Sequence, residues 1–493
     1  MTMSNPKRVH PSGILIRFLQ EIRQLFFPLI AVLLFSRNQT IPWPWQLMFI
    51  LLWLFFIVLH GFLSWYRFTY QIDKEQIHIQ SGIFIRRKRH IHRNRVHTIN
   101  QSAGILQRLF GTVQLRIETA GGGTEPEVRL TAVTKEEARR IRSVLDPHLR
   151  SEHAESSDPH ESSASPSSQK APFPPEKGPA YRLPAVDLFV ASFTSASFGV
   201  VLAGLAVIIS QFAEYLPESF YASAYRWFIE QSVLFIAGIL LGAAIIAWII
   251  SVMITLLQYA RFQVSLEGDR CTIQRGLLEK KEVHFTRNKI QAVRLIETPL
   301  RQLLGYVAVV AESAGGSDDP SGSIIVVPLI KRRHVQSFME KFLPQYVPAL
   351  SFERSPARGL RRYVVRAVWL PLALALAGCY FLPSPWKWYF LLLPLIGCWI
   401  GWARWRDAGW NLQDKHLTLR YRIFARCTVV THKKRIQALQ IHQSLFQRRG
   451  KLINIKIHIL SAGARAFKII HLDEKAGRRL YEWYGSFKQN QQT

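Results

Sequence analysis

The densest concentration of reactive or ligand-binding side chains is the run Arg86-Arg87-Lys88-Arg89-His90-Ile91-His92-Arg93-Asn94-Arg95. Two looser clusters share its character: Arg275 with Lys280, Lys281, Arg287 and Lys289, and Lys433-Lys434-Arg435 with Arg420, Arg422 and Arg426. A basic strand pair held against an anionic membrane leaflet gains about 1 kcal/mol for each Lys or Arg near the surface. The candidate lipid-binding set is therefore Arg86, Arg87, Lys88, Arg89, Arg93, Arg95, Lys280, Lys281, Arg287, Lys289, Lys433, Lys434 and Arg435. A structural explanation competes with this one, because cations also guard exposed sheet edges and mark the cytoplasmic side of membrane proteins. Nucleic acid fits poorly: no aromatic-basic strand signature or recognition helix accompanies the charge.

Other chemistries find less support. His78, His90, His92 and His97 crowd one region, but His90 and His92 are two apart on an expected strand and no Cys or acidic pair completes a metal site. Solvated or hydrogen-bonded histidines are the expectation, able to sense pH near neutrality. Gly121-Gly122-Gly123 and Gly315-Gly316 lack the Lys-Ser/Thr of a phosphate-binding loop and read as strand connections. Cys271, Cys379, Cys398 and Cys427 have no paired spacing, so neither a disulfide framework nor a metal site is expected. Asn38-Gln39-Thr40 matches a glycosylation sequon by coincidence if the source is bacterial. No Ser-His-Asp, paired-carboxylate or Cys-His arrangement stands out, so the expectation is a non-enzymatic protein without cofactor or metal.

The elements that must carry these clusters are membranous. Residues 41–63 contain no Asp, Glu, Lys or Arg, and about 20 apolar residues cross a bilayer core as a helix. Similar stretches follow at 187–210, 232–257, 363–382 and 388–401; a shorter apolar run at 25–35 is read as the sixth span if it extends over Ile22 or into Asn38, with a buried core helix as the alternative for that run alone. Arg17, Glu21 and Arg23 interrupt the N-terminal apolar residues, so no cleaved signal peptide is expected. If the spans pair as hairpins, the outer segments hold only Arg37, Arg226 and Lys387 as basic residues. The chain as a whole carries 63 basic against 33 acidic residues, net +30, so both termini and all intervening soluble regions are expected on the cytoplasmic side. The spans lack Asp, Glu or Lys near their centres, and Arg366 and His60 sit toward ends, which disfavours an ion-coupled transporter. Gly199 with Ala203 and Gly238 with Gly242 have the small-residue spacing of closely packed helices, read here as ordinary packing.

A repeat organises the whole. Stretches beginning at Arg67, Arg261 and Asp407 align: Gly82 matches Gly276, Arg93 to Val96 matches Arg287 to Ile290, Leu109-Phe110-Gly111 matches Leu303-Leu304-Gly305, and Ala120-Gly121 matches Ala314-Gly315. The third copy aligns through Lys433 to Leu439 and Ser461-Ala462-Gly463, but the turn glycine has no equivalent there and the spacing slips. Alternation such as Gln76-Ile77-His78-Ile79-Gln80 predicts half-buried antiparallel strands, with Gly82 and Gly276 at hairpin turns. Each copy closes with a helix, opened by the capping-box spacing of Thr134 to Glu137, by Lys331, and by Asp473 as N-cap. Residues 151–182 are rich in Ser, Pro, Glu and His and read as a disordered linker.

Arg93 to Gln101, Leu109-Phe110-Gly111, Ala120-Gly121 and their counterparts, alternating with membrane hairpins, resemble the bacterial pleckstrin-homology-like membrane proteins, the YdbS/YdbT-like family. The resemblance implies membrane α-helical hairpins plus α+β soluble domains, each domain a pleckstrin-homology-like β-sandwich or barrel with a C-terminal helix. It also implies phospholipid headgroups as a ligand class, a bacterial plasma membrane, a smaller one-domain relative as partner, and a link to defence against membrane-active peptides. It supplies no catalytic residue. The expected layout is an N-terminal segment with hairpin one at 1–63, domain one at 64–150, the linker at 151–182, and hairpin two at 183–257. Domain two follows at 258–345, hairpin three at 346–403, domain three at 404–488 and a tail at 489–493. The expected function is a scaffold binding anionic lipid or a partner protein, with a transporter or export component for peptides or lipids as the rival class.

Overall fold

The computed structural model describes residues 6–16, 18–19, 43–73, 76–83, 85–93, 96–119, 128–145, 179–195, 233–313, 322–349, 351–381, 386–461 and 465–489, with isolated positions between 199 and 223. The apolar run at 25–35, the glycine-rich segments at 121–123 and 315–316, and Arg95 lie outside the described residues.

Among the described residues, three units of seven strands each repeat along the chain. Unit one contains β1 (Lys7–Arg8), helix α1 (Trp43–Arg67), β2 (Thr69–Ile72), β3 (Gln76–Ser81), β4 (Arg87–His92), β5 (Val96–Ala103), α2 (Ile105–Leu109), β6 (Thr112–Thr119), β7 (Val128–Thr134) and α3 (Lys135–Leu145). Unit two contains β8 (Ala180–Arg182), α4 (Ala185–Phe193), α5 (Val233–Tyr259), β9 (Gln263–Glu267), β10 (Arg270–Arg275), β11 (Lys280–Thr286), β12 (Ile290–Glu297), α6 (Pro299–Leu303), β13 (Tyr306–Ser313), β14 (Ser323–Lys331) and α7 (Arg332–Phe342). Unit three contains β15 (Glu353–Arg354), α8 (Leu360–Phe381), α9 (Trp386–Phe390), α10 (Leu392–Asp407), β16 (Gly409–Gln413), β17 (His416–Arg422), β18 (Arg426–His432), β19 (Ile436–His442), α11 (Leu445–Arg449), β20 (Leu452–Ile459), β21 (Arg465–Asp473) and α12 (Glu474–Gln489).

The apolar helices interrupt the units instead of preceding them. β1 pairs with β2, β8 with β9 and β15 with β16, each pair spanning the intervening helices. Residues 180–182, at the end of the stretch read as linker, are thus the first strand of unit two. Within the described residues, Leu241–Tyr259 and Ala357–Phe381 are long and apolar enough to cross a membrane, and Leu51–Arg67 is a shorter apolar helix. Among the described glycines, Gly238 and Gly242 meet no neighbour, whereas α8 and α10 touch at Gly397 and Gly401: a Cβ on Gly401 would lie 2.6 Å from the Val364 Cα.

The hairpin glycines behave as their spacing predicts. Gly82 and Gly276 adopt φ of 111° and 100°, and a Cβ would meet the Ile85 and Glu279 carbonyl oxygens at 1.9 and 2.0 Å. Unit three makes the same hairpin with Arg422 at that place and no positive φ. Further along, Gly111, Gly305 and Lys451 hold one left-handed position in the three units, Lys451 at φ 48°.

The three units are not the separate domains that the sequence pattern predicts, because their sheets are continuous. Strand order is β1-β2-β3-β4, then β7-β6-β5-β11-β10-β9-β8, then β14-β13-β12-β18-β17-β16-β15, then β19-β20-β21. The fifth strand of one unit therefore pairs with the fourth of the next. The two joints have equivalent registers, Thr98 opposite Phe285 and Ala103 opposite Lys280 in the first, Ala292 opposite Thr431 and Glu297 opposite Arg426 in the second. Each unit keeps a core of alternating strand residues under its closing helix, such as Ile77, Leu115 and Ile117 beneath Ile141 of α3 in unit one. Val430 of unit three packs into the core of unit two, and Ala292 of unit two into that of unit three.

Candidate functional site

The joints decide which cations remain available. Lys289 donates to the Val96 carbonyl of unit one, and Arg435, its equivalent, donates to the Asn288 carbonyl of unit two. Arg287 holds the β9–β10 turn through Asp269 Oδ1 at 3.0 Å and the Gly268 carbonyl at 2.9 Å. These three members of the expected lipid-binding set are engaged as structural clamps. Lys433 lies over the Trp483 ring at 5.0 Å, and the Lys434 backbone amide caps against His432 Nδ1 at 3.1 Å. Arg87, Lys88 and Arg89 lie exposed on β4, with Arg86 entering it, and β4 ends its sheet; Arg93 follows, half-buried.

Lys280 and Lys281 are brought into a cleft. It has a volume of about 570 Å³ and is lined by Gln101, Arg108 and Lys135 of unit one and by Arg261, Arg275, Lys280, Lys281 and Glu282 of unit two. Six cations from five chain segments thus surround one carboxylate. That carboxylate is committed elsewhere: Glu282 lies 3.0 Å from His284 Nε2 and 3.8 Å from Arg142. Burial pushes its pKa up, but the hydrogen bond and charge of His284 and then the Arg142 charge outweigh this and hold it at about 2. Arg142 also donates to Gln101 Oε1 at 2.6 Å, tying α3 to the cleft floor. His284 itself is pushed down to about 4, chiefly by burial, and accepts or donates at Thr272 Oγ1 across 2.9 Å.

The cleft is placed at the foot of a membrane-length helix. Arg275 stacks over Tyr259, the last residue of α5, at 5.0 Å, and Arg261 follows that helix in a left-handed conformation at φ 54°. Arg108 reaches across the joint to the Leu277 carbonyl at 2.9 Å. Such a site can hold a phosphate-bearing group by charge and by multiple N–H donors. Sequence reasoning missed Arg108, Lys135 and Arg261 because they come from separate segments joined only through the β5–β11 pairing. Arg261, a cation directly after an apolar run, was the one available signal. A smaller cavity of about 330 Å³ recurs beside α8 and α10, lined by Arg366, Arg404, Arg422 and Lys468 with Tyr363 and Tyr421. Among the described residues no cluster of His, Cys, Asp or Glu could hold a metal ion.

Units of two joined sheets closed by a helix, each carrying inserted apolar helices, define a membrane-associated pleckstrin-homology-like class. The chain belongs to the bacterial PH domain family, whose model matches residues 18–148, 183–345 and 365–488. It is 30% identical over 498 residues to the UPF0699 transmembrane protein YdbT of Bacillus subtilis (strain 168), covering 98% of each chain. No solved structure matches.

Proposed function

We propose that the protein is a non-enzymatic, multi-pass scaffold of the bacterial plasma membrane whose basic cleft binds anionic lipid headgroups. The observation that carries this reading is the meeting of six cations and one committed carboxylate at the end of α5. The scarcity of basic residues in the outer segments supports cytoplasmic units and termini. The exposed row Arg86 to Arg89 adds long-range attraction to the same leaflet. Envelope defence against membrane-active peptides is the process such a leaflet-bound scaffold would serve. The open β19 edge supports a protein partner, such as a smaller one-domain relative, as the second reading.

Because unit two shares sheets with both neighbours, the test uses the full chain in neutral detergent, titrated with fluorescent phosphatidylglycerol or phosphatidylcholine. Preferential binding of the anionic lipid is expected. Replacing Arg275, Lys280 and Lys281 together by Ser should weaken it by about fivefold per cation, from roughly 1 kcal/mol each, and flatten its salt dependence. Equal binding of the two lipids would remove the headgroup reading.

A further inference from the structure

Each unit carries two apolar tips that its own core leaves bare. The first is the short helix after the fifth strand: at its C-terminal end Leu109 and Leu303 are 77% and 84% exposed and followed by exposed Phe110 and Leu304, and in unit three its first turn bares Leu445 and Phe446 at 82% and 74%. The second is the turn between the third and fourth strands, which presents Ile85, Leu277 and Ile423, the last beside Phe424 at 73%. Single exposed aliphatic residues need no explanation. The same two places bare in three diverged copies do, and unit three keeps its apolar turn after losing the turn glycine.

These tips lie where the apolar helices meet the sheets. The Leu277 amide donates to the Leu257 carbonyl at 2.9 Å and the Gly276 amide to Ala260 at 2.8 Å, fastening that turn to the last turn of α5. Arg108, beside Leu109, donates to the Leu277 carbonyl and brings the unit-one tip to the same place. Arg301 of α6 donates to Thr194 Oγ1 at 3.1 Å, immediately after α4. In unit three, Arg404 of α10 donates to the Ile423 carbonyl at 3.2 Å, and Arg362 in the first turn of α8 donates to the Phe446 carbonyl. Cations flank the apolar side chains throughout: Arg108, Arg301, Arg448 and Arg449 in the short helices, Arg86 and Lys280 after the turns. An apolar tip with a cationic shoulder matches the boundary between acyl chains and headgroups, where stems bury and charges reach water or phosphate.

We propose that these repeated tips are shallow membrane anchors, their Leu, Ile and Phe side chains entering the headgroup–acyl boundary of the leaflet from which α5, α8 and α10 emerge. The sheet array is then held close along that leaflet at each unit. Two of the tips, Leu109 and Leu277, flank the basic cleft, so insertion sets its mouth at headgroup depth. The proposal rests on the membrane reading of the helices, but its driving force is apolar burial, so neutral lipid suffices for it, unlike headgroup recognition.

The experiment uses the full chain in nanodiscs of phosphatidylcholine, with and without phosphatidylglycerol. Cys379 and Cys398 are replaced by Ser, leaving the buried Cys271 and Cys427. A single environment-sensitive fluorophore is placed on L303C, L445C or F424C, with R478C on the exposed face of α12 as control. Tip probes should show blue-shifted emission and quenching by doxyl groups near the headgroup in both lipid mixtures, and the control neither. Water-like emission at the tips would overturn the proposal, as would quenching that requires anionic lipid. Tips quenched in both mixtures beside a cleft that binds both lipids equally would sink the headgroup reading alone.

Discussion

At the scale of single residues, the second joint is held by an ion cluster. Glu312, fully buried, lies 2.5 Å from Arg294 of its own unit and 2.6 Å from Arg465 of unit three. Removing one member of a buried cluster leaves uncompensated charge, so Glu312→Ala is expected to cost about 3 kcal/mol, measured by thermal unfolding of the detergent-solubilised chain. Histidines add a pH dependence. Burial, then the neighbouring His416, Lys434 and Arg435, hold His432 at about 4 against an ordinary 6.5. The folded state therefore keeps it neutral while the unfolded chain takes up the proton first. Stability from this group is complete above pH 6.5 and is lost as pH falls toward 4, and His432→Gln should flatten the melting temperature across that window. Half of the cleft was legible in the sequence, because Arg275, Lys280 and Lys281 stand within one loose basic cluster, whereas Arg108, Lys135 and Arg261 come from separate segments. Which cations are spent on the fold was not. Lys289 and Arg435 donate to backbone carbonyls of the preceding unit, and any residue type supplies a carbonyl.

At the scale of elements, the turns and helix packing are the points of least tolerance. Gly276→Ala would place a methyl 2.0 Å from the Glu279 carbonyl in a left-handed backbone, and a loss above about 1 kcal/mol is expected from thermal unfolding. Gly401→Leu should separate α8 from α10, read as loss of a disulfide engineered between them. Strand alternation, both turn glycines and all three closing helices could be read directly: the Glu137 amide donates to Thr134 Oγ1 at 3.4 Å and the Lys475 amide to Asp473 Oδ1 at 3.2 Å. The hairpin insertions could not. β8 has three residues and β15 two, too short to alternate, and their partners lie beyond the apolar helices.

At the scale of the whole molecule, the helices should fix topology: reporter fusions after Asn38, Ser151, Glu218, Pro348, Ser384 and Thr493 are expected to read alternately outside and inside, and any other order would break the paired-span arrangement. The sheets fix shape, since shared strands bar the units from turning independently. A joint that repeats in equivalent register inside one chain is also a rule for tiling chains. Among the described residues one half of that joint is left unpaired at β4 of unit one and the other at β19 of unit three, and head-to-tail contacts that do not close grow without limit. Arg87, Lys88 and Arg89 stand along the β4 edge, where repulsion and hydration discourage another strand from docking. Charge placed there acts as a stop, opposing extension of the shared-sheet array past β4.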